Sequence, residues 1–242
     1  MLYLISLGLN DEKDMSIKAV EIAKQCDVLY LELYTHYNNI NINKLSKFLK
    51  KDIKGIQRKD LEDNSSYVIN EAAKKNVGVL VGGDCLSATT HISLVKEARE
   101  KKVKVNIIHG SSIFTAIAET GLFIYNFGKT TSIPLENKNI KTPYNILQEN
   151  LKLGLHTLFL LDLKPEENFF LSINKALQYL IDQGLNKNIL CVACIDLGGK
   201  NQKIKVERAK ELLKYNFNIF PQCLVIPGEL HFMEKEMLEQ WR

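Results

Sequence analysis

Short, almost uninterrupted apolar runs recur along the chain, and each is followed by a segment with helical spacing. The first half holds YLISLGL (3–9), CDVLYLELY (26–34), NVGVLVGG (76–83) and VKVNIIH (103–109), with helices predicted over 16–25, 89–101 and 112–120. A strand that is apolar on both faces is buried on both faces. Strands of that kind alternating with helices predict a parallel sheet with helices covering each side. The second half continues the pattern. SIPLEN (132–137), HTLFLLDL (156–163), NILCVACI (188–195) and QCLVIPG (222–228) read as strands. Helices are predicted over 143–153 and 169–183, in a charged stretch near 205–215, and from 229 onward. The polar stretch between the second and third runs carries no element in this reading.

A length of 242 residues suits two domains of roughly 100–130 residues each. No low-complexity linker separates them, so the boundary is a tight connection within 110–130, drawn here as 1–111 and 112–242. The expected fold is two α/β domains with mostly parallel or mixed sheets and a ligand cleft between them, since α/β folds bind ligands at the carboxyl ends of their strands. Thirty-two basic against 28 acidic residues leave a net charge of +4, well short of the footprint of a nucleic-acid-binding protein. No apolar run approaches the ~20 residues of a membrane span. MLYLISLGL has neither a basic leader nor a cleavage site, so it reads as a first strand, and a cytoplasmic protein is expected. The five cysteines are scattered. Cys191-x-x-Cys194 lacks a second ligand pair and sits in an apolar run, so it reads as buried strand rather than a metal site.

Several segments at strand ends could carry chemistry. GLND (8–11) suits a tight turn with close backbone approach, and Asp11 could cap the next helix. It is not a G-x-G-x-x-G, so a dinucleotide site of that type is not supported. In GGDCLSATTH (82–91), two glycines open the backbone to a ligand. Asp84 there could accept hydrogen bonds or attract a positive charge, and Ser87, Thr89 and Thr90 offer hydroxyls and caps. In HGSSI (109–113), Ser112 and Ile113 would present a hydroxyl, an amide and an apolar wall, a mixture that suits a nucleoside. GLHTLFLLD (154–162) brings Leu161 and Asp162 to another strand end. In PGELHFMEKEML (227–238), His231, Glu234 and Leu238 share a helical face. There is no HExxH and no nucleophile elbow. Each turn, taken alone, could equally be structural.

Together these segments resemble the archaeal diphthine synthases of the tetrapyrrole methylase superfamily. The resemblance spans essentially the whole chain, in order and spacing: LGLND-x-x-D, ELYT (32–35), GGDCLSATTH, HGSSIFTAIAETGLFIYNFGKT (109–130), GLHTLFLLDLK (154–164) and PGELHFMEKEML. It implies two α/β domains with S-adenosylmethionine in the cleft, no metal, and a homodimer. It also implies successive methylation of an amino group on a modified histidine of translation elongation factor 2. That group belongs to a 3-amino-3-carboxypropyl substituent, and the product is the trimethylammonium on the way to diphthamide. Carried over by motif, the donor-binding positions are Leu9, Asp84, Ser87, Ser112, Ile113, Leu161, Ile195 and Gln222. His109 and His231 are of a type that could act as base, but the resemblance names no catalytic residue. Competing readings are a tetrapyrrole or RNA methyltransferase of the same fold, and a non-catalytic donor-binding protein. The family usually has glycine where this chain has Ser6 and proline where it has Cys85. Segment 196–205 also departs from the usual pattern.

Overall fold

The apolar runs form the strands of two separate sheets in a computed structural model that describes residues 1–35 and 40–242. The chain divides into two units, Met1–Ile113 and Phe114–Arg242. The first comprises β1 (Leu2–Ser6), α1 (Ile17–Gln25), β2 (Val28–Glu32), α2 (Ile42–Leu49), β3 (Ile53–Ile56), α3 (Arg58–Glu62), α4 (Ser66–Ala72), β4 (Val77–Val81), α5 (Ile92–Glu100), β5 (Val105–Ile108) and the start of α6 (Ile113–Ala116). Its five strands are all parallel, in the order β3-β2-β4-β1-β5. Alternation along the strands feeds two cores. Leu2, Leu4, Val77, Val79 and Val81 pack with Ile69, Leu94 and Val95 of α4 and α5. Ile5, Leu29, Leu31 and Leu80 pack with Ala19, Ala23, Leu45 and Leu49 of α1 and α2. The sheet is therefore covered on both faces, as continuous apolar strands require.

The polar stretch left unassigned above contains α2, β3, α3 and α4. These elements are short and carry many charges. Only their buried positions, such as Leu45, Leu49, Ile56, Leu61 and Ile69, mark them.

The second unit comprises β6 (Thr131–Ile133), α7 (Thr142–Lys152), β7 (Thr157–Leu161), the two-residue hairpin strands β8 (Leu163–Lys164) and β9 (Phe169–Phe170), α8 (Ile173–Asp182), β10 (Leu190–Ile195), β11 (Lys203–Arg208), α9 (Ala209–Leu212), β12 (Gln222–Ile226) and α10 (Phe232–Glu239). Its sheet order is β11-β10-β12-β7-β6. Only β6 and β7 are parallel; the other three pairings are antiparallel. The sheet is therefore mixed. The helix predicted near 205–215 is corrected in extent: residues up to Arg208 belong to strand β11, and the helix is a single turn, Ala209–Leu212. In KIKVER, Ile204 and Val206 point inward while Lys203, Lys205 and Glu207 alternate with them. That is period two, and lysines are common on an edge strand, where they discourage further pairing.

Cys191 joins the core cluster on one face of the second sheet, while Cys194 lies cross-strand from Cys223. All five cysteines are free and buried, and burial pushes the Cys191 thiol up to about 12.

Candidate functional site at the carboxyl edge of the first sheet

Strand order decides where the first unit can receive a ligand. From β1 the chain passes over β4 to reach β2; from β4 it passes over β1 to reach β5. Right-handed crossovers running in opposite directions put α1 and α5 on opposite faces. The two cores described above agree with this. The carboxyl ends of the neighbouring strands β1 and β4 thus lie at a topological switch point, where open α/β sheets bind ligands.

Three sequence segments meet there. Gly8, just past β1, and Gly83, just past β4, form an isolated backbone bridge with N···O distances of 3.2 and 2.7 Å. Both lie in the left-handed region, at φ +84 and +67, where a side chain is strained. A Cβ built on Gly83 would meet nothing within 4 Å. The backbone at this point is open to an incoming molecule. Gly110, past β5, closes the cluster: a Cβ there would lie 2.7 Å from that of Ser6 and 3.5 Å from the Gly83 carbonyl oxygen.

Asp84 ties the segments together. Its Oδ1 accepts from the Leu86 amide at 3.0 Å and the Ser87 hydroxyl at 3.1 Å. Its Oδ2 accepts from His109 Nδ1 at 2.8 Å and the Gly110 amide at 3.2 Å. Burial alone would raise the pKa of this carboxyl, but the four donors outweigh it and hold it below the ordinary value. A carboxylate offers about four acceptor positions, so Asp84 is spent on joining the turn after β4 to the turn after β5.

The departures from the family pattern at Ser6 and Cys85 prove to be one feature. The Cys85 amide, fully buried, donates to Ser6 Oγ at 2.9 Å. A proline at 85 would have no N–H to satisfy, and a glycine at 6 would have no acceptor to offer.

Helix capping differs from expectation. Asp11 caps a single 3₁₀ turn (Glu12–Asp14), accepting from Lys13, while Ser16 caps α1 through the Ala19 amide. None of Ser87, Thr89 and Thr90 caps α5, whose cap position is His91. Thr89 donates to the Cys85 carbonyl and Thr90 to Glu62.

Of the residues assigned to donor binding, Leu9, Asp84, Ser87, Ser112 and Ile113 all belong to this edge of the first unit. Leu9 and Ile113 are half-buried and Ser112 is buried. Leu161, Ile195 and Gln222 lie together at one end of the second sheet, with Ile195 in register with Gln222. Leu161 and Ile195 contribute to the core. The Gln222 amide accepts from Ile173 N and donates to the Phe217 and Ile219 carbonyls.

Sequence reasoning missed a buried polar network in the second unit. Glu234 and His156 are both wholly inaccessible to solvent, with Nε2 to Oε1 at 3.0 Å. Glu234 Oε1 also accepts from the Phe123 amide at 2.8 Å and Asn126 Nδ2 at 3.4 Å, and Oε2 accepts from the His231 amide at 2.8 Å. His156 Nδ1 accepts from the Gly228 amide at 3.0 Å, which places its proton on Nε2. The signal was present in HTLFLLD and PGELHFMEKE, two histidines and a glutamate inside apolar runs, but their pairing is tertiary.

The profile of the tetrapyrrole (corrin/porphyrin) methylases matches residues 1–213. The chain belongs to that family. This methylase is 40% identical to the diphthine synthase of Methanocaldococcus jannaschii, over 99% of its own length and 98% of the relative's. It is 39% identical to the diphthine synthase of Methanococcus aeolicus, over 99% and 97%. A crystal structure of a diphthine synthase superposes with a TM-score of 0.94 at 35% identity, covering 99% of the methylase and 95% of that chain. The methylase thus falls in the diphthine synthase branch, and it is a methyltransferase.

Proposed function

We propose that this enzyme transfers methyl groups from S-adenosylmethionine to the amino group of the 3-amino-3-carboxypropyl-histidine of translation elongation factor 2, three times over, to give diphthine. The observation that carries this reading is end-to-end similarity to diphthine synthases, gaps and all, across both units. Three of the motif segments behind the resemblance, LGLND, GGDCLSATTH and the start of HGSSI, follow the carboxyl ends of β1, β4 and β5.

The residues at that edge suit the donor. The unfilled space over Gly83 admits a ligand to the backbone. Leu9 and Ile113 supply apolar surface for a ring, and Ser87 retains acceptor capacity after donating to Asp84. Leu161, Ile195 and Gln222, at one end of the second sheet, are assigned to the donor by motif. When bound, the donor supplies an electrophilic methyl group on a sulfonium. The chain supplies orientation and a dry surrounding, and alignment of reacting groups is worth on the order of 7–11 kcal/mol in favourable cases. The same reading expects a cytoplasmic homodimer with no metal and no nucleic-acid or membrane partner.

Two measurements test it. Calorimetry with S-adenosylhomocysteine is expected to show saturable binding, and none at millimolar ligand would overturn the donor assignment. Mass spectrometry of elongation factor 2 carrying the precursor histidine, after incubation with enzyme and donor, is expected to show a gain of three methyl groups. Transfer to a tetrapyrrole or to RNA instead, or a bound donor with no turnover, would refute the assigned substrate.

A further inference from the structure

The bond between Asp84 and His109 leaves the site with a base already oriented. Asp84 Oδ2 is a carboxylate oxygen, so the Nδ1 atom 2.8 Å away must be the donor. The ring's remaining nitrogen, Nε2, therefore carries the lone pair. It meets no hydrogen-bond partner among the described residues. The two members differ sharply in access. The Asp84 side chain is 9% exposed and that of His109 70%. His109 also adjoins Gly110, which packs against Gly8, Gly83 and Ser6 at the glycine cluster. The pair sits on the same edge as the donor-binding segments.

The other described histidines are committed elsewhere. His156 is enclosed with Glu234. His91 is buried behind Cys85 and Tyr34. His231 Nδ1 accepts from the Met233 amide, and its ring contacts those of Phe123 and Phe232. Asp84 itself is a poor base, because its oxygens are saturated by four donors.

We propose that His109, held in one tautomer by Asp84, is the base that removes a proton from the acceptor ammonium before each methyl transfer. This rests on the reading above that the acceptor is an amine. An ammonium has no lone pair and cannot attack. Its proton passes to His109 Nε2. The freed pair on nitrogen forms the new bond to the methyl carbon as the carbon–sulfur bond of the sulfonium donor breaks, and sulfur keeps that electron pair. The product of the first and of the second transfer is again an ammonium with a proton to lose. Three transfers thus release three protons, and the last product, quaternary, has none. The base must be reset between turnovers, and an imidazole with its side chain 70% exposed can return its proton to solvent. Asp84 is a positioning residue in this scheme.

The test compares wild type with His109→Ala and His109→Gln on precursor-bearing elongation factor 2. The glutamine can still donate to Asp84 but has no proton-accepting nitrogen. Both variants are expected to lose about 10²–10⁴-fold in kcat, to bind S-adenosylhomocysteine as wild type does, and to regain part of the rate, in the alanine variant, on addition of free imidazole. Retention of the wild-type kcat by either variant overturns the proposal. So does a loss of rate that imidazole does not reverse, or one accompanied by lost S-adenosylhomocysteine binding, which would make His109 structural. If the wild type itself methylates no amine, the functional reading fails and takes the base with it.

Discussion

Glu234→Ala is expected to lower the unfolding free energy by about 3–5 kcal/mol, the range for breaking a buried charged network by removing one member. Four donors converge on this carboxylate from three places in the second unit: the turn at Phe123–Asn126, the start of β7 at His156, and the entry to α10 at His231. Removing it strands the Phe123 and His231 amides and the His156 Nε2–H in a site closed to solvent. In a scan this corresponds to a fall of roughly 10 °C in Tm. A variant within 1–2 °C of wild type would mean that water fills the site.

The same residue sets an acid dependence. Burial raises the pKa of the Glu234 carboxyl, but the Phe123 and His231 amides and His156 outweigh it and hold the group below the ordinary glutamate range. A depressed carboxylate stabilises the fold fully above the unfolded value and loses that contribution as pH falls through the folded one. The gap in stability between wild type and Glu234→Ala should therefore be constant from neutral pH down to about 5 and close below that. A gap that stays fixed to pH 3 would contradict the assignment.

Ser6→Gly is expected to destabilise the first unit by about 1–3 kcal/mol, the cost of leaving the buried Cys85 N–H without an acceptor. Adding Cys85→Pro should recover part of that loss, because the orphaned donor is gone. Cys85→Pro alone leaves the Ser6 hydroxyl without its donor. Urea unfolding of the four proteins gives the coupling energy, expected at about 0.5–3 kcal/mol in favour of the double substitution. Strict additivity would show that the two departures arose independently of each other's chemistry.

Four of the five strands of the first sheet, β1, β2, β4 and β5, were legible from the sequence because they lie in nearly continuous apolar runs. The parallel arrangement, the burial of the strands and the position of the glycine-bearing turns at their carboxyl ends all followed from that. What was not legible has physical reasons. β11 hid inside KIKVER because two apolar residues among four charges suit either period, and only pairing with β10 selects the strand. α2, β3 and α3 hid in a polar stretch because each is stabilised by one or two buried side chains.

At the site, residue types suggested that Asp84 faces a ligand. The fold also engages its carboxylate with Leu86, Ser87, His109 and Gly110. The partners come from two loops some 25 residues apart, a relation no local pattern encodes. The Ser6–Cys85 bond, across 79 residues, was visible only as two unrelated oddities.

The placement of β1 has a consequence for how the chain is made. Leu2 pairs with Val77 on one side and Val105 on the other. β2 and β3 pair with each other but have no direct bond to β1. During synthesis β1 thus has neither of its sheet neighbours until residues past 77 have left the ribosome, and its second neighbour comes later still. A long wait with an exposed apolar strand invites mispairing and calls for chaperone protection. Since Gly8, Gly83 and Gly110 follow these three strands, this carboxyl edge is among the last parts of the first unit to take shape, and a nascent chain halted before β5 lacks its third glycine turn.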